Sequence, residues 1–149
     1  MTAKEYLRQL KNINAEINVK YLELETLRAQ VGIRAQPDPN ENVGHSGNVT
    51  DPVSDIAVKI VEMEKYINRK IDRLINLRRK ITTQIDGMEN RNFRNLLICK
   101  YVLEMTWTKI SETLNYNEDY CRKELHSAAL QTFYEMYLKP RETPGKHVI

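Results

Sequence analysis

Hydrophobic residues recur at alternating spacings of four and three along two long stretches of this chain, one before and one after a central polar segment. A period of 3.5 residues held over four or more heptads is typical of coiled-coil helices. The pattern therefore predicts two long helices. Its eighteen positions, called the seam below, are Tyr6, Leu10, Ile13, Ile17, Lys20, Leu24, Leu27, Val31, Ile56, Ile60, Met63, Ile67, Lys70, Leu74, Leu77, Ile81, Gln84 and Met88.

Capping and helix-breaking residues set the limits of these two helices. Thr2 and Glu5 have the spacing of a capping box, and Pro52 directly follows an aspartate, which is typical of a first helical turn. Six of the ten glycines and prolines lie between the two helices, and they predict a flexible loop over residues 34–51. The helices, about 30 and 37 residues long, are expected to form an antiparallel coiled-coil hairpin over residues 1–90.

Two groups of basic residues lie on these helices, and each group has two possible interpretations. The seam lysines, Lys20 and Lys70, can reach solvent past their neighbours, or they can fix the register and the oligomeric state at some cost in stability. Six basic residues also lie within the twelve positions 69–80. They form either a solvated face, which pairs in part with glutamates of the first helix, or a sequence-independent contact with phosphates.

The last third of the chain changes to short amphipathic segments with short connections. Trp107, Ile110 and Leu114 line one face of a two-turn helix. Asn115 follows at the point where a tight turn needs a left-handed residue, and Asn117 is a good cap for the next helix. The spacing thus predicts a helix, a tight turn and a second helix, the arrangement that reads DNA in helix-turn-helix proteins.

The second of these helices has a predicted buried face and a predicted exposed face. Cys121, Leu125 and Ala128 follow one another at the spacing of a single helix face and are expected to point inward. Polar residues of the early turns are expected to point outward, where the second helix of such a motif enters the major groove. These outward residues are Glu118, Asp119, Arg122, Lys123 and His126.

Residues from about Phe93 to Leu130 resemble the domain of bacterial sigma factors that reads the −35 promoter element, and the likeness rests on the run CKYVLEMTWTKISETLNYNEDYCRKELHSAAL. The whole chain is similar to small phage- and prophage-encoded regulators with a sigma-like C-terminal domain, the RinA- and ArpU-type late transcription regulators and their relatives. In the N-terminal half, the likeness rests on TDPVSDIAVKIVEMEKYINRKIDRLINLRRKI, residues 50–81. The resemblance implies an all-α fold, with the hairpin followed by a small DNA-binding domain over residues 91–139.

The resemblance also implies which residues contact DNA. Its base-facing positions fall on the start of the second helix, and two positions on the first helix meet the phosphate backbone. The two acids at the start of the second helix depart from the family pattern: they can accept from the amino group of cytosine, or they can serve only to stabilise the helix N-terminus. The predicted DNA-contacting set is Thr108, Lys109, Asn117, Glu118, Asp119, Arg122, Lys123 and His126.

Composition narrows the class of protein. The 149 residues carry a net charge of +3, and 29% of them are charged, while the mean hydropathy is −0.59. We therefore expect no membrane span, and the N-terminus lacks the apolar segment of a signal peptide. The two cysteines, Cys99 and Cys121, fall on predicted inward faces and fit a reduced cytoplasm.

Catalytic and metal-binding motifs are not found in the sequence. Its three histidines are scattered, and it contains no CxxC, HExxH, GxSxG or glycine-rich phosphate loop. We therefore expect no enzyme activity, no metal, no cofactor and no small-molecule substrate.

The sequence as a whole predicts a sequence-specific regulator that binds double-stranded DNA and controls phage or prophage late genes in the bacterial cytoplasm. The coiled coil would form a homo-oligomer, a dimer or higher, or contact host RNA polymerase. The alternative is a phage assembly or packaging protein resembling small terminase subunits, or a coiled-coil partner-binding module. Small terminase subunits usually carry the DNA-binding domain first, whereas it comes last here. The tail, residues 140–149, is expected to be disordered and is assigned no role.

Overall fold

The computed structural model describes residues 1–34 and 52–141, and within these ranges every regular element is helical. The predicted all-α fold class is therefore confirmed. The helices are α1, Ala3–Arg34; α2, Pro52–Asp86; α3, Arg91–Leu97; α4, Trp107–Leu114; and α5, His126–Phe133. No helix in the described ranges has both the length and the apolar character needed to cross a membrane.

Short π-helical segments extend the C-terminal helices. Ile98–Val102 continues α3, Tyr120–Leu125 leads into α5, and Tyr134–Leu138 follows α5. The residues at these junctions keep right-handed helical backbone angles, so each segment runs into its neighbour without a break. The loop predicted for residues 34–51 lies outside the described residues except at Arg34, the last residue of α1, and most of the predicted tail also lies outside them.

Both long helices begin where the capping residues predict. The backbone N–H of Glu5 donates to Thr2 Oγ1 at 3.2 Å, and the N–H of Thr2 donates to the Glu5 carboxylate at 3.1 Å. This reciprocal pair is a capping box, which satisfies N–H groups that the first helical turn leaves free. Helix α2 begins at Pro52.

The chain divides into two compact units. The central unit is Ile13–Ile75, and the terminal unit joins Met1–Asn12 to Asn76–Ile149. This division differs from the boundary expected near residue 90, because the first turns of α1 and the last turns of α2 belong to the same unit as the short C-terminal helices. In that unit, the ring of Tyr6 lies 5.8 Å from the ring of Phe133.

In the central unit, α1 and α2 pair in opposite directions. The Arg28 guanidinium lies 2.8 Å from the Glu64 carboxylate, and Lys70 Nζ lies 3.1 Å from that of Glu16. Each of the eighteen seam positions is buried or half-buried in the structure. The two seam lysines are half-buried and pack near the ring of Tyr66. The Glu16 carboxylate also raises the pKa of Lys70.

The terminal unit has an aliphatic core with few aromatic rings. Its largest fully buried side chains are Leu7, Ile81, Ile85, Met88, Leu96, Leu97, Ile110, Cys121 and Phe133. Both cysteines are buried free thiols, as expected, and burial raises the pKa of each. On the long helices, Leu7 and Ile85 are fully buried although they lie outside the seam.

Candidate nucleic-acid interface

The turn between α4 and the following helix has the geometry that its sequence predicts. Thr106 caps α4, because its Oγ1 accepts a hydrogen bond from the N–H of Lys109 at 3.2 Å. Asn115 caps the C-terminus of α4, and its backbone is left-handed with φ 58° and ψ 41°. The next N–H, that of Tyr116, donates back to the carbonyl of Ser111 at 3.2 Å. The chain therefore leaves the axis of α4 in a tight turn.

Asn117 starts the second helix of the predicted motif, which runs through the π-helical segment Tyr120–Leu125 into α5. Its Oδ1 accepts from the N–H of Asp119 at 2.9 Å and from the N–H of Tyr120 at 3.4 Å. This is the predicted N-cap. Because that oxygen is already used within its own helix, Asn117 is better suited to holding the helix start than to reading a base.

Six residues of the predicted DNA-contacting set lie exposed on α4 and the first turns of the second helix. They are Thr108, Lys109, Glu118, Asp119, Arg122 and Lys123. The Thr108 hydroxyl donates to the Glu118 carboxylate at 3.4 Å, which links the two helices across the turn. The Arg122 guanidinium lies 2.8 Å from the Asp119 carboxylate, and both side chains remain largely exposed.

His126, the last member of the predicted set, is buried, so its assignment as an exposed DNA contact is wrong. Its Nε2 lies 2.7 Å from the Tyr101 hydroxyl. Its ring packs edge-on against the ring of Trp107, with the centroids 4.9 Å apart. Burial, with smaller contributions from Lys4, Lys100 and Arg8, lowers the pKa of His126 to about 4. The imidazole is therefore neutral at pH 7.

The π-helical segment Tyr120–Leu125 explains the error. A π-helix has i→i+5 hydrogen bonds and turns less per residue than an α-helix, so every position after Leu125 is rotated relative to an ideal α-helix. His126 and Ala129 turn inward, whereas Ala128, which the spacing predicts to be buried, is exposed.

Four cations lie near Trp107 and His126 in the terminal unit, and the sequence did not predict that they would lie together. Lys4, Arg8 and Lys11 follow one another on α1, and Lys100 lies in the π-helical continuation of α3. Lys100 Nζ is 4.7 Å from the centroid of the Trp107 ring. The regular spacing on α1 was a signal available in the sequence, but the position of Lys100 beside it depends on the tertiary packing.

No group of three or more histidine, cysteine, aspartate or glutamate side chains in the described part of the chain is arranged to hold a metal ion. The exposed surface of α4 and the first turns of the second helix presents hydrogen-bonding and charged groups on two helices joined by a tight turn.

One family model, described as "Protein of unknown function (DUF1492)", matches residues 39–131, which is more than half of the chain. The chain belongs to this family. The part that matches DUF1492 includes all eight residues of the predicted DNA-contacting set and Lys100, while α1 lies before it. Comparisons of this DUF1492 chain with curated proteins and with solved structures found no match.

Proposed function

We propose that this protein is a sequence-specific transcription regulator that binds double-stranded DNA through α4 and the helix that begins after Asn117. The main support is the left-handed turn at Asn115, followed by a helix whose early turns expose Arg122 and Lys123. In helix-turn-helix proteins, these early turns enter the major groove. Arginine and lysine there donate to O6 and N7 of guanine.

The remaining exposed residues have distinct proposed roles. Thr108 and Lys109 contact the phosphate backbone. Such contacts orient the protein on the duplex and carry little sequence information. Asp119 holds the Arg122 guanidinium in the free protein, as their separation of 2.8 Å supports. Glu118 faces the amino group of a cytosine. His126 supports the second helix from beneath, because its ring is packed against Trp107.

The resemblance to sigma-like phage and prophage regulators supports the biological role. In this proposal the protein controls phage or prophage genes in the cytoplasm of a bacterial host and acts by binding, with no enzyme activity, metal or cofactor. Contact with host RNA polymerase through the long helices is part of the same proposal.

The long helices are proposed to form a homo-oligomer. In the central unit, several large apolar side chains remain exposed, among them Val19 and Leu22 on α1, and Val58 and Val61 on α2. Each pair is spaced three residues apart, so its members share one face of their helix. A second copy of the chain would remove these side chains from water, which favours association by the hydrophobic effect.

Selection from a random duplex pool tests the DNA-binding proposal. The bound fraction is sequenced at a fixed salt concentration of about 150 mM, because phosphate contacts make affinity depend steeply on salt. An enriched motif is expected for the wild type. The double variant Arg122→Ala, Lys123→Ala should lose that preference, while a charge-matched control, Lys65→Ala with Arg69→Ala on α2, should keep it. Binding without any preference in the wild type would reject sequence-specific recognition.

Light scattering tests the oligomeric state. A dimer or tetramer is expected for a regulator, and two half-sites about 10 base pairs apart in the selected motif would match a symmetric dimer. A closed ring of many subunits would instead support the alternative of a packaging protein resembling small terminase subunits.

A further inference from the structure

The terminal unit holds a cluster of four cations that the proposed reading surface does not use. The basic cluster consists of Lys4, Arg8, Lys11 and Lys100. On α1, the first three follow one another at i, i+4 and i+7, so they lie on one side of the helix. Arg8, Lys11 and Lys100 line one cleft, together with Tyr101 and Glu104.

No ion pair in the described part of the chain neutralises the positive charge of the cluster. Burial lowers the pKa of Lys100, and the charges of Lys11, Arg8 and Lys4 lower it further. Uncompensated cations that repel one another are stabilised when an anion binds between them.

Glu104 is the acid in this cleft, and its backbone is unusual. It is held in the left-handed region with φ 53°, which non-glycine residues rarely adopt. Glu104 lines the same cleft as Arg8, Lys11 and Lys100. An incoming anion would therefore have to overcome the repulsion of Glu104, so removal of this charge is a direct way to strengthen anion binding.

The basic cluster adjoins the proposed DNA-binding surface. Lys100 lies over the ring of Trp107, and Trp107 is the first residue of α4. The next two residues, Thr108 and Lys109, are the proposed backbone contacts. The basic cluster thus extends the proposed DNA-binding surface from the N-terminal turn of α4.

We infer that the basic cluster of Lys4, Arg8, Lys11 and Lys100 is a second contact with duplex DNA, one that binds the phosphate backbone beside the segment read by Arg122 and Lys123. This inference rests on the proposed function. Cations at this position neutralise phosphates whatever the base sequence, so the contact adds affinity and salt dependence without adding sequence preference.

The test measures the affinity of the full chain for a selected duplex and for an unrelated duplex across a series of salt concentrations. The cluster variant carries Lys4→Gln, Arg8→Gln, Lys11→Gln and Lys100→Gln. The slope of log affinity against log salt should fall in magnitude by about 0.9 for each phosphate that the variant no longer neutralises. Affinity for both duplexes should fall by the same factor, which leaves their ratio unchanged.

Three further variants keep the test decisive. A charge-matched control, with glutamine at the exposed residues Lys59, Lys65, Lys139 and Arg141, avoids the basic run of residues 69–80 and should retain the wild-type slope. Glu104→Gln should bind both duplexes more tightly than the wild type. A triple variant, Lys4→Gln, Arg8→Gln and Lys11→Gln, leaves Lys100 in place and so preserves its contact with Trp107. Thermal unfolding monitored by circular dichroism confirms that each variant is folded.

The outcomes separate this inference from the proposed function. If the wild type binds its selected duplex and the cluster variant has the same affinity and slope, the second contact is rejected while the reading surface stands. Equal reductions in affinity for the cluster variant and the charge-matched control also reject it, because net charge alone would then explain the effect. Absence of duplex binding by the wild type rejects both.

Discussion

The Tyr101 hydroxyl lies 2.7 Å from Nε2 of His126, and both side chains are buried. Burial raises the pKa of Tyr101 to about 12, so the hydroxyl keeps its proton throughout the neutral range. The contact joins the π-helical continuation of α3 to the first residue of α5. It therefore ties the second helix of the proposed DNA-binding motif to the core beneath it.

Tyr101→Phe removes this hydrogen bond and leaves a buried nitrogen without its partner. We expect the free energy of unfolding to fall by about 1–3 kcal/mol, the usual cost of an unsatisfied buried polar group. The control is Tyr116→Phe, which deletes an exposed hydroxyl that accepts from Asn92 Nδ2 at 3.1 Å. Denaturant unfolding measures the stability of both variants. An equal fall would show that the buried hydrogen bond contributes no more to stability than the exposed one.

The low pKa of His126 predicts that acid destabilises the fold. The folded-state pKa is about 4 against an ordinary value of 6.5, so between these pH values the unfolded chain binds a proton that the folded protein does not. Stability is therefore full above pH 6.5 and falls as the pH drops towards 4. From pH 7 to pH 5, the expected loss is about 2 kcal/mol.

The variant His126→Gln isolates this effect, because glutamine does not titrate. Its stability should change little between pH 7 and pH 5, whatever its absolute level. Denaturant unfolding at the two pH values gives, for each protein, the slope of the free energy of unfolding against pH. A slope equal to that of the wild type would mean that another group is responsible.

Asp119→Asn releases Arg122 and removes a negative charge from the proposed DNA surface. Because the ion pair is exposed, its contribution is small, and we expect affinity for duplex DNA to rise by up to roughly fivefold. Fluorescence anisotropy with a labelled duplex measures the change. Asp72→Asn on the exposed face of α2 controls for net charge and should leave the affinity nearly unchanged.

Gly87 packs closely against Tyr137. A β-carbon added at Gly87 would lie 2.6 Å from the Tyr137 hydroxyl oxygen, so this side chain would have to move. We expect Gly87→Ala to lower the free energy of unfolding by about 1–3 kcal/mol. In the presence of Tyr137→Phe, which removes the obstructing oxygen, the cost of Gly87→Ala should shrink. A double-mutant cycle measures this coupling, and strict additivity would contradict the proposed clash.

Several features could be predicted because they depend on residues close together in the chain. The capping box of Thr2 and Glu5, the left-handed turn at Asn115 and the cap at Asn117 each form within a few residues. Likewise, the spacing of apolar residues predicted which positions of the two long helices are buried. Local hydrogen bonding and helical periodicity do not depend on the rest of the fold.

The orientation of His126 and the grouping of the cations were decided by the tertiary structure. The π-helical segment before α5 rotates the following residues, and no spacing rule for a regular α-helix includes that rotation. Lys4 and Lys100 are far apart in sequence, and only the packing of the first turns of α1 in the terminal unit brings them into one cluster. The sequence by itself therefore determined the helices, their caps and the turn. The direction in which His126 points depended on the π-helical segment, and the grouping of the cations depended on contacts between distant segments.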